Sequence, residues 1–213
     1  MRATVPNRDS RLPPMAEHPY LRTADATAHR RSQNEAMLSP TFAAPDASDH
    51  WQGKLNAALT LVEYGDYECP SCIQAEPLTR QLVERYQHRL VFVFRHFPLI
   101  ELHPHAAMAA EAAEAAAAQA AFWPMHHALF RQRQHLERPA LSGYASEIGL
   151  DLARFDQEMD NRLYAARVLA QHQHGVQIGL RATPTFLLNG GVVDVSFGLN
   201  QLEARLRHAL NPP

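Results

Sequence analysis

At 213 residues the chain is long enough for one hydrophobic core and short for two. Its 20 basic and 22 acidic residues leave a net charge of −2, which speaks against a nucleic-acid or anionic-membrane footprint. No run approaches 18 consecutive apolar residues, so no membrane span is expected.

Residues 1–48 hold six of the 15 prolines, scattered arginines and no sustained apolar periodicity, and read as a disordered or loosely docked extension. Arg2, Arg8 and Arg11 are not followed by the apolar region of a secretory signal, and starts at Met15 or Met37 create none. Asp9, Glu17, Asp25 and Glu35 argue against a transit peptide. The expected compartment is therefore cytoplasmic, in tension with disulfide formation, because cytosolic thiols are kept reduced. The folded domain is expected over 49–213.

Trp51 to Leu55 reads as a short strand or a loop, and Leu59 to Tyr64 as the first clear strand, ending at Gly65-Asp66. A helix is expected from Pro70 to Gln87, with Pro70 suited to its first turn and a kink at Pro77. Leu90 to Phe94 is a continuous apolar run, the pattern of a central strand buried on both faces. From about 99 to 179 the pattern is helical: an alanine-dense segment from His103 to Ala121, a helix opened by Trp123-Pro124 and another by Pro139. Asp151 and Asn161 then read as N-caps of two more. Thr185–Leu188 and Val192–Val195 flank Asn189-Gly190-Gly191, a hairpin signal, and a leucine-striped helix follows Gly198. The order is β, α, β, a helical block, β, β, α, with the first crossover parallel and the hairpin adding two antiparallel strands.

The only two cysteines lie in Cys69-Pro70-Ser71-Cys72, where strand gives way to helix. Unpaired backbone N–H groups and the helix dipole favour negative charge there, and the thiolate is the attacking species in disulfide exchange. Cys69 therefore reads as the nucleophile and Cys72 as the resolving thiol. No second cysteine pair completes a four-cysteine zinc site, and none of the 13 histidines has Cys2His2 finger spacing, so no metal is expected. A purely structural disulfide would close a very short loop and stabilise little.

The segments Val62–Cys72, Phe94-Arg-His-Phe-Pro-Leu99, His103-Pro-His105, Phe122-Trp-Pro-Met-His126 and Ala182-Thr-Pro-Thr-Phe186 together resemble the bacterial DsbA-like thiol oxidoreductases of the thioredoxin superfamily. The resemblance spans roughly Asp49 to Leu210. It implies an α/β thioredoxin-like fold with a central mixed sheet and a multi-helix insertion after the second core strand. It implies a cis peptide bond before Pro184, lying against the cysteines. Pro70, Ser71, Thr183 and Pro184 would meet an incoming polypeptide, and Glu63 would be a buried carboxylate relaying a proton to or from Cys72. On a strand edge Glu63 would instead be an ordinary solvated carboxylate, and neighbouring Val62 and Tyr64 do not settle which face it uses. The implied partners are protein thiols or disulfides and a regenerating redox protein, with no cofactor.

Two departures bear on chemistry. Ser71 stands where the strongly oxidising archetype has histidine, which implies a less oxidising couple. His96 stands where relatives often have Asn, and reads as a capping or core-edge histidine rather than a catalytic one. Three other functions fit parts of the pattern: a thioredoxin-fold binding or holdase module with its cysteines as a redox switch, metal storage, and a glutathione transferase of related fold. The intact cysteine pair argues against the last.

Overall fold

A computed structural model describes residues 45–46, 48–132, 134–195 and 198–210. The expected extension falls almost wholly outside the described residues. Five strands form one sheet in the order β1-β3-β2-β4-β5. They are β1 His50–Gly53, β2 Leu59–Gly65, β3 Leu90–His96, β4 Thr185–Leu188 and β5 Gly191–Val193. β2 and β3 are parallel, and every other neighbouring pair is antiparallel, so the sheet is mixed. Helix α1 (Pro70–Tyr86) joins the parallel pair, and α7 (Asn200–Leu210) ends the described chain.

Between β3 and β4 lie α2 (Ala106–Ala117), α3 (Phe122–Arg131), α4 (Arg138–Glu147), α5 (Leu152–Asp160) and α6 (Ala165–Gln177). This is the expected helical insertion. β3 is buried at all seven positions, because helices cover both of its faces. Leu59, Leu61, Phe92, Phe94 and Phe186 join the larger core with α1, α7 and the insertion. Val62, Tyr64, Val93, Phe97 and Leu187 face the other way. Glu63 shares the orientation of Leu61, since strand side chains alternate.

Several boundaries differ from expectation. Asn161 does not open α6: it is the C-cap of α5, with its Nδ2 donating to the Gln157 carbonyl at 2.8 Å, and α6 starts after Tyr164. The positive φ of Arg162 breaks the chain between the two helices. Asp151 does cap α5, accepting from Arg154 N at 3.0 Å. α2 begins at Ala106, because His103 and His105 are held by carboxylates elsewhere. Trp51 lies in a real edge strand, and β5 stops at Val193. Helix α1 continues through Pro77, which supplies no N–H to the carbonyl one turn earlier.

The alanine-rich α2 buries ten of its 12 residues, Glu111 and Glu114 among them. Glu111 is paired with Arg162. Glu114 accepts from His50 Nε2 at 3.0 Å, His96 Nε2 at 3.1 Å and Arg167 Nε at 2.6 Å. Burial pushes the Glu114 carboxyl up, but the hydrogen bonds from His50 and His96 outweigh it and hold the group well below the ordinary range. His96 is thus a core histidine that ties α2 to the end of β3.

Where α6 crosses the sheet, a Cβ on Gly175 would lie 2.6 Å from Phe97 ring carbons and 3.3 Å from Tyr64 Cδ1. Gly175→Ala would ordinarily gain about 1 kcal/mol of helix propensity. Here we expect a net loss of about 1–3 kcal/mol from overpacking, read as a lower urea midpoint.

Candidate active site

Cys69 is the N-cap of α1, with extended backbone at φ −71 and ψ 122, and Pro70 occupies the first turn. The sequence forces this placement: β2 ends at Gly65, a three-residue link follows, and Pro70 needs no N–H partner. Cys69 is 6% exposed and sits beside exposed Pro70 and Ser71. Its Sγ donates to the Thr183 carbonyl at 3.3 Å. The Thr183–Pro184 bond is cis and directly precedes β4, which pairs with β2.

The two sulfurs have opposite environments. A hydrogen bond from Cys72 does most to hold the Cys69 thiol down, to about 5, against the opposing effect of burial. The Thr183 side chain and the N–H groups of Cys72 and Ser71 add to it. Those N–H groups are orphan donors of the first helical turn. The Thr183 hydroxyl is buried and has no partner beside the neutral thiol, so it is available to the thiolate. Cys72 is wholly buried, and burial pushes its thiol well above the ordinary value. Its bond to Cys69 and the nearby Glu63 charge reinforce that, while a hydrogen bond from Asp66 N at 3.4 Å opposes it. Both cysteines are free thiols.

Glu63 is 3% exposed. Burial first, then the charges of Glu76 and Cys69, push its carboxyl up to about 8. The reading of Glu63 as a solvated edge residue fails, because β2 is covered on both sides.

A further group was not read from the sequence as part of the site. Asp66 Oδ2 accepts from Leu99 N and His103 Nδ1, each at 2.8 Å, and Oδ1 accepts from Glu68 N at 2.8 Å. Glu68 accepts from His105 N at 2.8 Å and lies 3.1 Å from His105 Nδ1. The turn that presents Cys69 is therefore fastened at two points to the entrance of the insertion. His103-Pro104-His105 was visible as a motif, but its acidic partners lie 37 residues away in the chain.

The structure brings together Cys69, Cys72, Pro70, Ser71, Thr183 and Pro184, with Glu63 behind them in the core. Among the described residues, no group of three or more histidine, cysteine or acidic side chains is placed to hold a metal ion. Nor is any helix there long and apolar enough to cross a membrane.

Comparison with known proteins agrees with this geometry. A family model described as thioredoxin matches residues 46–207. A thioredoxin-like oxidoreductase from Silicibacter pomeroyi superposes with a TM-score of 0.70 at 25% identity, covering 81% of this chain and 98% of that one. BdbD from Bacillus subtilis gives 0.68 at 20% identity, covering 81% and 95%. The α-DsbA1 protein of Wolbachia pipientis gives 0.67 at 19%, covering 81% and 98%. The chain is also 42% identical over 162 residues to a Na(+)/H(+) antiporter NhaA 1 from Salinispora arenicola, a match that takes in 76% of this chain and 24% of the antiporter. The chain thus spans about a quarter of the length of the curated relatives it matches.

Proposed function

Because the chain belongs to the thioredoxin family and has a DsbA-like fold, we propose that it is a dithiol–disulfide oxidoreductase working through Cys69-Pro70-Ser71-Cys72. The observation that carries this is the contrast between two sulfurs within one helical turn. Cys69 is surrounded by donors that stabilise a thiolate, and Cys72 is buried as a thiol. In the cycle, the Cys69 sulfur forms a mixed disulfide with a protein partner. Cys72 then attacks Cys69, and the partner departs as a thiolate. Glu63, once it has released its own proton, takes the one that Cys72 gives up. Pro70, Ser71, Thr183 and Pro184 form the platform for the partner's backbone. A second redox protein returns the pair to its starting state, and the direction of net flow follows from that protein's potential.

The cytoplasmic placement expected from the sequence belongs to the same proposal, and fractionation of the native protein checks it. No ion transport is assigned to this chain, since its match covers about a quarter of each antiporter.

The test is a titration of ultraviolet thiolate absorbance in the reduced protein, with exchange against a dithiol peptide followed in parallel. One inflection near 5 that disappears in Cys69→Ser, with exchange that tracks it, is the expected result. Titration of Cys69 near the free value of ~8.5 would remove the physical basis of the proposal.

A further inference from the structure

β2 leaves the sheet at Gly65, whose carbonyl accepts from Phe97 N at 2.8 Å. A Cβ on Gly65 would run into the Phe94 ring, so the chain passes close to β3 at this point. The next N–H, that of Asp66, lies beyond the ladder and donates to Cys72 Sγ at 3.4 Å. The Asp66 carbonyl accepts from Cys69 N at 3.2 Å, so the backbone of one residue touches both cysteines. Its carboxylate is wholly buried. Oδ1 accepts from Glu68 N, and Oδ2 accepts from Leu99 N and from His103 Nδ1, each at 2.8 Å. A buried carboxylate satisfied by donors from two separate segments has one position available to it, and its backbone is held with it.

We infer that Asp66 holds the charge of the resolving sulfur: its N–H receives the negative charge on Cys72, and the grip of Glu68, Leu99 and His103 on its carboxylate keeps that N–H aimed. His103 is then a positioning residue supplied by the entrance of the insertion. The inference rests on the reading of Cys72 as the resolving thiol and names the group that lets it ionise. In resolution, Cys72 Sγ has given up its proton and bonds to Cys69 Sγ. The bond from Cys69 to the partner breaks, and its electron pair leaves on the partner sulfur. In the reverse step the partner thiolate attacks Cys69 Sγ, the Cys69–Cys72 bond breaks, and the electron pair leaves on Cys72 Sγ. Cys72 thus carries charge in both directions. Burial first, then the bond to Cys69 and the charges of Glu63 and Cys69, oppose that charge, and the Asp66 N–H favours it. The sulfur is uncharged in the thiol and in the disulfide, where a hydrogen bond to it is weaker. The N–H therefore lowers the barrier between those forms and leaves their balance nearly unchanged.

The experiment loads Cys69 of the full chain with a chromophoric aryl thiol as a mixed disulfide and follows its release. Cleavage of the disulfide form by the same thiol is followed in parallel. Aspartate at position 66 is replaced by its α-hydroxy acid, which puts an ester oxygen in place of the N–H and keeps the carboxylate and the carbonyl. Release and cleavage are both expected to slow about tenfold, less than the ~10²–10³ that a donor to an oxyanion contributes, because sulfur is the weaker acceptor. The equilibrium between mixed disulfide and disulfide form should stay at its native value. In a Cys72→Ser background the ester should leave the rate at which Cys69 forms the mixed disulfide unchanged. Asp66→Asn and His103→Gln weaken the grip and keep the N–H, so their rates should fall between those of the native and ester proteins. Native rates in both would overturn the grip. A native rate in the ester protein, beside release that is lost in Cys72→Ser, would overturn the role of Asp66 and leave Cys72 as the resolving thiol. Release at the native rate from Cys72→Ser would overturn both. An ester protein slowed in one direction only would also overturn the inference, since a distorted site shifts the end states.

Discussion

Cys72→Ser should accumulate mixed disulfides with protein partners, seen as high-mass bands that vanish with reductant, whereas Cys69→Ser should accumulate few. The first variant keeps the N-cap sulfur with the Thr183 side chain and the backbone donors of Ser71 and Cys72. It loses the thiol that would resolve the linkage within the same turn. Intramolecular resolution of this kind carries a high effective concentration, up to ~10⁵–10⁸ M in well-oriented systems, so its removal should lengthen the lifetime of the mixed disulfide by orders of magnitude. The second variant leaves Cys72 alone, wholly buried and with its thiol well above the ordinary value, so little thiolate is available to attack. Equal trapping by both variants, or trapping by neither, would refute the assigned roles and return the pair to a structural disulfide.

The reduced Glu63→Gln variant should be more stable than the native protein in alkaline solution, by several kcal/mol, and the advantage should vanish toward pH 4. The folded carboxyl stands at about 8 against an ordinary 4.5. Between these values the unfolded chain has released the proton and the native protein still holds it. Stability therefore falls as pH rises through that window, and the loss is complete above about 8. Each pKa unit is worth about 1.4 kcal/mol, so the full penalty is on the order of a few kcal/mol. Glutamine does not titrate and escapes it. Cys69 works in the opposite direction: its depressed folded value contributes stability that is lost as pH falls through about 5. That contribution is common to both proteins and largely cancels in the difference. Urea midpoints at pH 5, 7 and 9 read the effect, and a difference that does not grow with pH would show that Glu63 ionises as freely as a surface carboxylate.

The elements that hold the site were legible because their signals are local. The run from Leu90 to Phe94 could only be a strand covered on both sides, and Pro70 after Cys69 marks a helix start that any fold would respect. Asn161 was misplaced for a related reason. Asparagine suits both ends of helices, and only the turn through Arg162 decides that it closes α5 rather than opening α6. Glu63 could not be settled from β2 alone, because a strand packed on both faces has no polar side to betray its orientation. The burial of Glu111 and Glu114 within a stretch of alanines was equally hidden. Their cations come from Arg162 and Arg167, residues chosen by the tertiary fold. The carboxylates Asp66 and Glu68 meet their histidines only once the insertion has folded back over the cysteines.

The insertion between β3 and β4 has a consequence for biosynthesis. β2 finds its parallel partner β3 within about 30 residues, but its other edge waits for β4, roughly 120 residues later, at synthesis rates of about 5–20 residues per second. For about 6–24 s the nascent chain therefore carries Cys69 and Cys72 beside an unpaired strand edge, before Thr183 has emerged to accept the Cys69 thiol. In this interval the cysteines lack the Thr183 wall of the finished site. A ribosome-bound chain stalled before Thr183 should thus show a smaller difference in alkylation rate between the two cysteines than the finished protein, and the full difference should appear as the last strands are added.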